Sequence, residues 1–290
     1  MHIHHSAQTR ALAIPEIVIS ILHQMDMDTL IAAQRVCHAW ADPIRRLRSL
    51  QKALFFIPDS DKSGTNTRVY NPLLARVFDS AFPSEDLRGP SNAKGCKVTE
   101  NMKQVALSHF DLAKSPTKRE IYLRPEASWR RMLTQQPPIL TVGQFSTGTG
   151  PMGLNWHQKR AARQDEGLRM GTLFEWLVNL GRYKWNDAMI AICLGGAEPL
   201  NTPPKIMGPS TYLFADNINE DWRIMCADFD LMLMTGTSSS CTDFEPDDPD
   251  YEKSTDEVVW EEICETYSKL GLTVAGLKME EYNEGFEWWD

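Results

Sequence analysis

Two stretches of this 290-residue chain carry residue types that could do chemistry. The first is IAAQRVCHAW at 31–40, where Cys37 and His38 suggest a metal ligand pair or a reactive thiol. Adjacent helix positions point about 100° apart, so these two side chains cannot easily grip one ion together. No second Cys/His pair lies at zinc-finger spacing, so Cys37 reads as a small apolar residue on a packed face and no metal is expected. The second stretch is GTGPMG at 148–153, which matches G-x-G-x-x-G. That pattern binds a dinucleotide only between a strand and a helix of a βαβ unit. Here GQFST separates the glycines from the apolar run at 139–142, Pro151 falls inside the turn, and the residues after Gly153 read as helical. A glycine-rich loop is the better reading, and no cofactor is expected.

Other catalytic patterns are missing. The chain has no G-x-S-x-G, H-E-x-x-H or Walker sequence, and three of its seven histidines (His2, His4 and His5) fall in the first five residues. No catalytic residue is therefore assigned. Six scattered cysteines without a C-x-x-C pair, and no Asn-x-Ser/Thr, point to free thiols and a reducing, cytoplasmic or nuclear setting. No apolar run approaches the roughly 18 residues that span a bilayer, and no membrane partner is expected. Residues 243–262 hold ten acids and one lysine, which equals the whole net charge of −9, so the remainder is balanced and has no general pull toward nucleic acid.

The elements that position these residues fall into two regions. After a tail at 1–10, read as disordered, residues 11–57 form a short helical unit. Pro15 and Glu16 are good helix starters, although Ile17, Val18 and Ile19 alone would suit a strand equally well. Asp28 is a candidate N-cap for a second helix carrying Leu30, Ala33, Cys37 and Trp40, and Asp42–Pro43 looks like the start of a third. Residues 58–68 read as a polar linker. From 69 to 290 the pattern suggests a larger, mainly helical region with a small β-sheet. It has a helix after Pro72, a strand then a helix over 119–136, and an amphipathic helix over 167–185. Strands are expected over 211–217 and 221–237, and a closing helix over 254–271 with a Ser254–Glu257 capping box. Residues 237–256 are expected to be a mobile acidic loop.

The strongest signal is in the first helix. Ile17, Val18, Ile19, Ile21 and Leu22 cover an arc of about 200°, twice the stripe a helix needs to serve its own core. On a unit small enough to be only marginally stable, such an excess suggests a groove for a partner; the alternative is that the second region covers it.

The stretch IPEIVISILHQMDMDTLIAAQRVCHAW resembles an F-box. Ile14, Pro15, Ile21, Leu22, Leu30, Val36, Cys37 and Trp40 stand at that family's motif positions, with Ile14 in place of the usual leucine and Glu16 one residue early. NPLLARVFDSAF and ASWRRMLTQQPP resemble segments that come after the F-box in many fungal proteins. The resemblance implies an α+β fold, a three-helix F-box and a larger target-binding region. It also implies a non-catalytic substrate receptor docked on a Skp-type adaptor, and through it on a cullin–RING ubiquitin ligase. Ile14, Pro15, Ile17, Val18, Ile21, Leu22, Leu30, Val36, Cys37 and Trp40 would then make the adaptor-binding set. The target is a protein the sequence does not name. Alternatives are a scaffold acting outside the ligase, a helix-turn-helix DNA binder using Arg45, Arg46 and Arg48, or a nucleotide-dependent enzyme resting on GTGPMG.

Overall fold

A proline and an acid start the first helix as their types dictate. In the computed structural model, α1 spans Pro15–His23 with Pro15 in its first turn and Glu16 beside it. The model describes residues 11–59, 68–82, 103–149, 155–180, 189–194, 224–225, 227–238 and 253–281. The β-branched run is therefore helical: Val18 and Leu22, four residues apart, both turn into the core.

The second helix, α2 (Met27–Ala33), is capped by Asp26, whose carboxylate accepts from the Thr29 N–H at 2.8 Å. The cap lies two residues before the expected Asp28, which sits in the first turn and pairs with Arg76 at 2.6 Å. Chain direction changes over 34–36, and Cys37 is the N-cap of α3 (His38–Arg46). Leu30, Ala33, Cys37 and Trp40 are thus divided between two helices, which a spacing argument cannot see. Pro43 lies inside α3 instead of opening a helix, and α3 continues only to Arg46 before α4 (Arg48–Ala53). From Pro15 to Ala53 the chain makes four short helices where three are expected.

No gap in packing separates this unit from the second region. One apolar core runs from Val18, Leu22, Leu30, Ile44 and Leu54 through Leu74, Phe78 and Phe110 to Phe174, Ile263 and Tyr267. The chain leaves α4 through Phe55, whose φ of 58° places a bulky residue in the left-handed region. That costs about 1–3 kcal/mol, and the Leu133 N–H holds it there by donating to the Phe55 carbonyl. Residues 60–67 of the expected linker lie outside the described residues. Beyond it, β1 (Val69–Tyr70) leads into α5 (Pro72–Val77), which Asn71 caps by accepting from the Leu73 and Leu74 N–H groups.

The chain is mixed helix and sheet, and its sheet is wider than the sequence suggests. Among the described residues it has six strands: β2 (Lys103–Gln104), β4 (Thr141–Thr149), β5 (Asn155–Arg163), β6 (Met189–Leu194), β7 (Leu231–Ser238) and β8 (Glu280–Glu281). Their order is β2-β6-β7-β4-β5-β8, antiparallel except for β4 with β7. Val142, Leu231, Leu233 and Ile192 point one way, into the helical core. Phe145, Met232 and Met234 take the other face, where Gly143 makes room: a Cβ there would meet Phe229 at 2.8 Å and Met232 closer still. A short separate ladder joins β1 to β3 (Gln135–Gln136).

Several expectations change here. From Asn155 the residues after GTGPMG form the strand β5, not a helix, because they pair along the whole length of β4, from Asn155 opposite Thr149 to Arg163 opposite Thr141. Residues 119–122, read as a strand, belong to the helix α6 (Pro116–Tyr122), started by Ser115 and Pro116. The helix expected before Pro137 is a single turn at Ser128–Arg131. The expected amphipathic helix is α7 (Met170–Leu180), buried on nearly every side. Val259, Ile263 and Tyr267 seat α8 (Thr255–Lys269), and its Ser254–Glu257 capping box is formed in both directions. The strand read over 221–237 begins only at Leu231. The tail at 1–10, the expected strand at 211–217 and residues 239–252 of the acidic loop lie outside the described residues; the rest of that loop belongs to β7 and the start of α8.

Candidate interaction surface

The apolar arc of α1 divides in two. Val18 and Leu22 are core residues, while Ile14 and Ile17 are 44% and 37% exposed. Ile19 and Ile21 are half-buried. Pro15 is exposed beside Ile14. Ile17 and Ile21, four residues apart, line a shallow groove of about 500 Å³ with Glu16, Ser20 and Gln24 on its margin. The sequence singles out Glu16 only as a helix starter and Ser20 and Gln24 not at all, though their spacing around Ile17 and Ile21 puts all three on the same side of a helix.

The other motif residues separate in the same way. Leu30 is buried in the core, and Trp40 is half-buried against it, so neither offers a contact surface in the way Ile17 does. Val36, at 65% exposure, stands out on the turn between α2 and α3. Cys37 comes next and is exposed with a free thiol, against the expectation of a packed face. The reason is local: the residue before α3 sits at a chain reversal, where it cannot share the inward face of α2. Val18, Leu22 and Leu30 are scaffold; Ile14, Pro15, Ile17, Ile21, Val36 and Cys37 are what remains for a partner. Arg45, Arg46 and Arg48 are also exposed, at the α3–α4 junction.

The segment 128–138, SWRRMLTQQPP, ties the end of the helical unit to the second region. Trp129 packs on Phe78 and Phe174 with ring centroids 4.9 and 5.4 Å apart, and its indole N–H donates to the Tyr122 carbonyl. Arg130 lies over the Trp129 and Tyr267 rings and donates to Glu175 at 2.7 Å and to the Tyr267 hydroxyl at 2.8 Å. Burial, with the nearby Glu175 carboxylate adding to it, pushes the Tyr267 phenol up to about 12. Arg131 covers Phe56 at 4.9 Å. Gln136 donates to the Ile57 carbonyl and accepts from the Asp59 N–H. The segment therefore bolts the helical unit to α7 and α8.

Gly148 and Thr149 end β4, and the next described residue, Asn155, begins the antiparallel β5, while residues 150–153 of GTGPMG lie outside the described residues. Among the described residues no three His, Cys, Asp or Glu side chains converge as a metal group, and no helix is long and apolar enough to cross a membrane. Tryptophans are frequent anchors at protein interfaces, but Trp176 is buried, and the side chains of Trp156, Trp185 and Trp222 lie outside the described residues. No family model, curated protein or solved structure matches the chain.

Proposed function

We propose that this chain is an F-box-type substrate receptor, which docks a Skp-type adaptor through its N-terminal helices and presents a target protein to a cullin–RING ubiquitin ligase. One observation supports the reading above the rest. A short helical unit turns Ile14, Pro15, Ile17, half-buried Ile21 and Val36 outward while Val18, Leu22 and Leu30 hold the core. Apolar Ile17 and Ile21 on one face of α1, with Glu16, Ser20 and Gln24 beside them, suit a protein partner. Such a receptor acts by proximity: it holds target lysines near the conjugating enzyme and contributes no reacting group. The proposed partners are the adaptor, the cullin behind it and an unidentified target; the proposed setting is cytoplasm or nucleus.

The test is affinity purification of the full chain from cells, then mass spectrometry. Adaptor and cullin recovered together support the reading. Adaptor without cullin would make it a scaffold outside the ligase, and recovery of neither would refute F-box function. The whole chain is the appropriate bait, because residues 11–57 alone would lose the contacts of Phe55, Phe56 and Ile57 with 131–136 and 169.

A further inference from the structure

Between α8 and β8 the chain runs over 272–279, LTVAGLKM, with neither helix nor strand. It leaves α8 at Gly271, whose φ of 67° is a conformation that glycine takes up readily. The helix is closed before this segment begins: the Leu270 and Gly271 N–H groups donate to the Thr266, Tyr267 and Ser268 carbonyls, and the Leu272 N–H donates to the Tyr267 carbonyl at 2.9 Å. Leu272 and Val274, then Leu277 and Met279, are half-buried and pack on the core, while Thr273, Ala275, Gly276 and Lys278 are exposed. Each apolar pair has the two-residue spacing of an extended chain. The Ala275–Gly276 step between the pairs passes the end of α7 so closely that a Cβ on Gly276 would meet the Asn179 Nδ2 at 2.6 Å. Among the described residues, no backbone hydrogen bond joins 273–278 to the rest of the protein.

We propose that residues 272–279 are an autoinhibitory strap, lying in a track that takes an extended apolar segment of the target protein. The inference rests on the reading of the chain as a target receptor and names the class of segment it receives. The strap itself shows what the track accepts: two apolar pairs in extended spacing, with a small residue between them to pass Asn179. It is held by half-buried side chains, so lifting it breaks no backbone hydrogen bond between 273 and 278. Segments with few buried contacts and unbonded backbone are the ones that open below the global stability. Lifting also leaves the bonds made by Leu270 and Gly271 at the end of α8 intact. A target segment of the same pattern competes for the four apolar positions, and the strap sets the affinity that segment must exceed.

The test uses the full chain and a fluorescently labelled peptide, LTVAGLKM, with no adaptor or cullin present. Gly276→Val drives a branched side chain into Asn179 and lifts the strap by bulk; Val274→Asp with Leu277→Asp lifts it by charge. Both variants, folded by circular dichroism, should bind the peptide about tenfold or more tightly than wild type, because a closed strap lowers the apparent affinity by the fraction of open chain. A control peptide with aspartate at the positions of Val274 and Leu277 should bind none of the three. Equal peptide binding by wild type and the lifted variants, no binding by any, or equal binding of the control peptide would overturn the proposal. Unfolding of both variants would overturn it too, since a strap free to lift cannot be what holds the fold. Recovery of adaptor and cullin from cells tests the receptor reading separately, so either idea can fail while the other stands.

Discussion

Replacing Arg130 with leucine tests the bolt that joins the three parts of the core. Side chains of Arg130 and Glu175 are only 11% and 18% exposed, and they meet at 2.7 Å. The guanidinium also donates to the Leu123 and Arg124 carbonyls and covers two aromatic rings. Removing one partner of a desolvated ion pair costs about 3–5 kcal/mol, because the other charge is left behind. Glu175 would keep one donor, the Tyr267 hydroxyl at 3.3 Å, and some water, which places Arg130→Leu at the lower end, about 3 kcal/mol. At a urea slope of about 3 kcal/mol/M, the unfolding midpoint falls by about 1 M. Replacing both charges, Arg130→Leu with Glu175→Leu, should cost at least about 1 kcal/mol less than the two single changes added together. A single variant within about 0.5 kcal/mol of wild type, or strict additivity in the double, would refute the reasoning.

Three further outcomes rest on named contacts. Tyr267 holds its proton more tightly folded than unfolded, so its contribution is whole below about pH 10 and falls as pH rises toward about 12. The stability gap between wild type and Tyr267→Phe should narrow by about 3 kcal/mol across that window, and a constant gap in pH-dependent urea unfolding would contradict it. Gly143→Ala should lower stability by about 1–3 kcal/mol in thermal unfolding, since its methyl group meets Met232 and the Phe229 ring; no loss would show that this face of the sheet is loosely packed. Asn71→Ala removes both the α5 cap and the donor to the Leu133 carbonyl, for about 2–4 kcal/mol, whereas Asn71→Ser keeps a neutral cap acceptor and should recover about 1 kcal/mol of it; equal losses would disprove the capping role.

How much of this the sequence shows depends on what each element answers to. Pro15 and Glu16, the Pro72 helix and the Ser254 capping box act locally, so α1, α5 and α8 are legible before any packing is known. β4 and β5 are not, because TVGQFSTGT and NWHQKRAAR lack regular alternation; their burial comes from Phe145, Val142, Ala161 and Ala162 meeting neighbours distant in sequence. The same holds for Gln136, a polar residue that is buried because the distant Ile57 carbonyl accepts from it. At the candidate site, the excess width of the α1 arc is visible in the letters. Which half faces outward is not, since the core partners of Val18 and Leu22 come from other helices and the second region.

The central claim is that the outward apolar face of α1 is where a Skp-type adaptor docks. The most direct measurement is adaptor binding by purified full-length chain, wild type against Ile14→Asp with Ile17→Asp, both checked for equal thermal unfolding. Ile121→Asp, on a somewhat more exposed isoleucine of α6, is the control. Wild type and the control should bind alike, and the double variant should lose about tenfold or more, as expected when charge enters an apolar contact worth at least about 1.4 kcal/mol. Undiminished binding by a folded double variant, or no adaptor binding by wild type, would contradict the account.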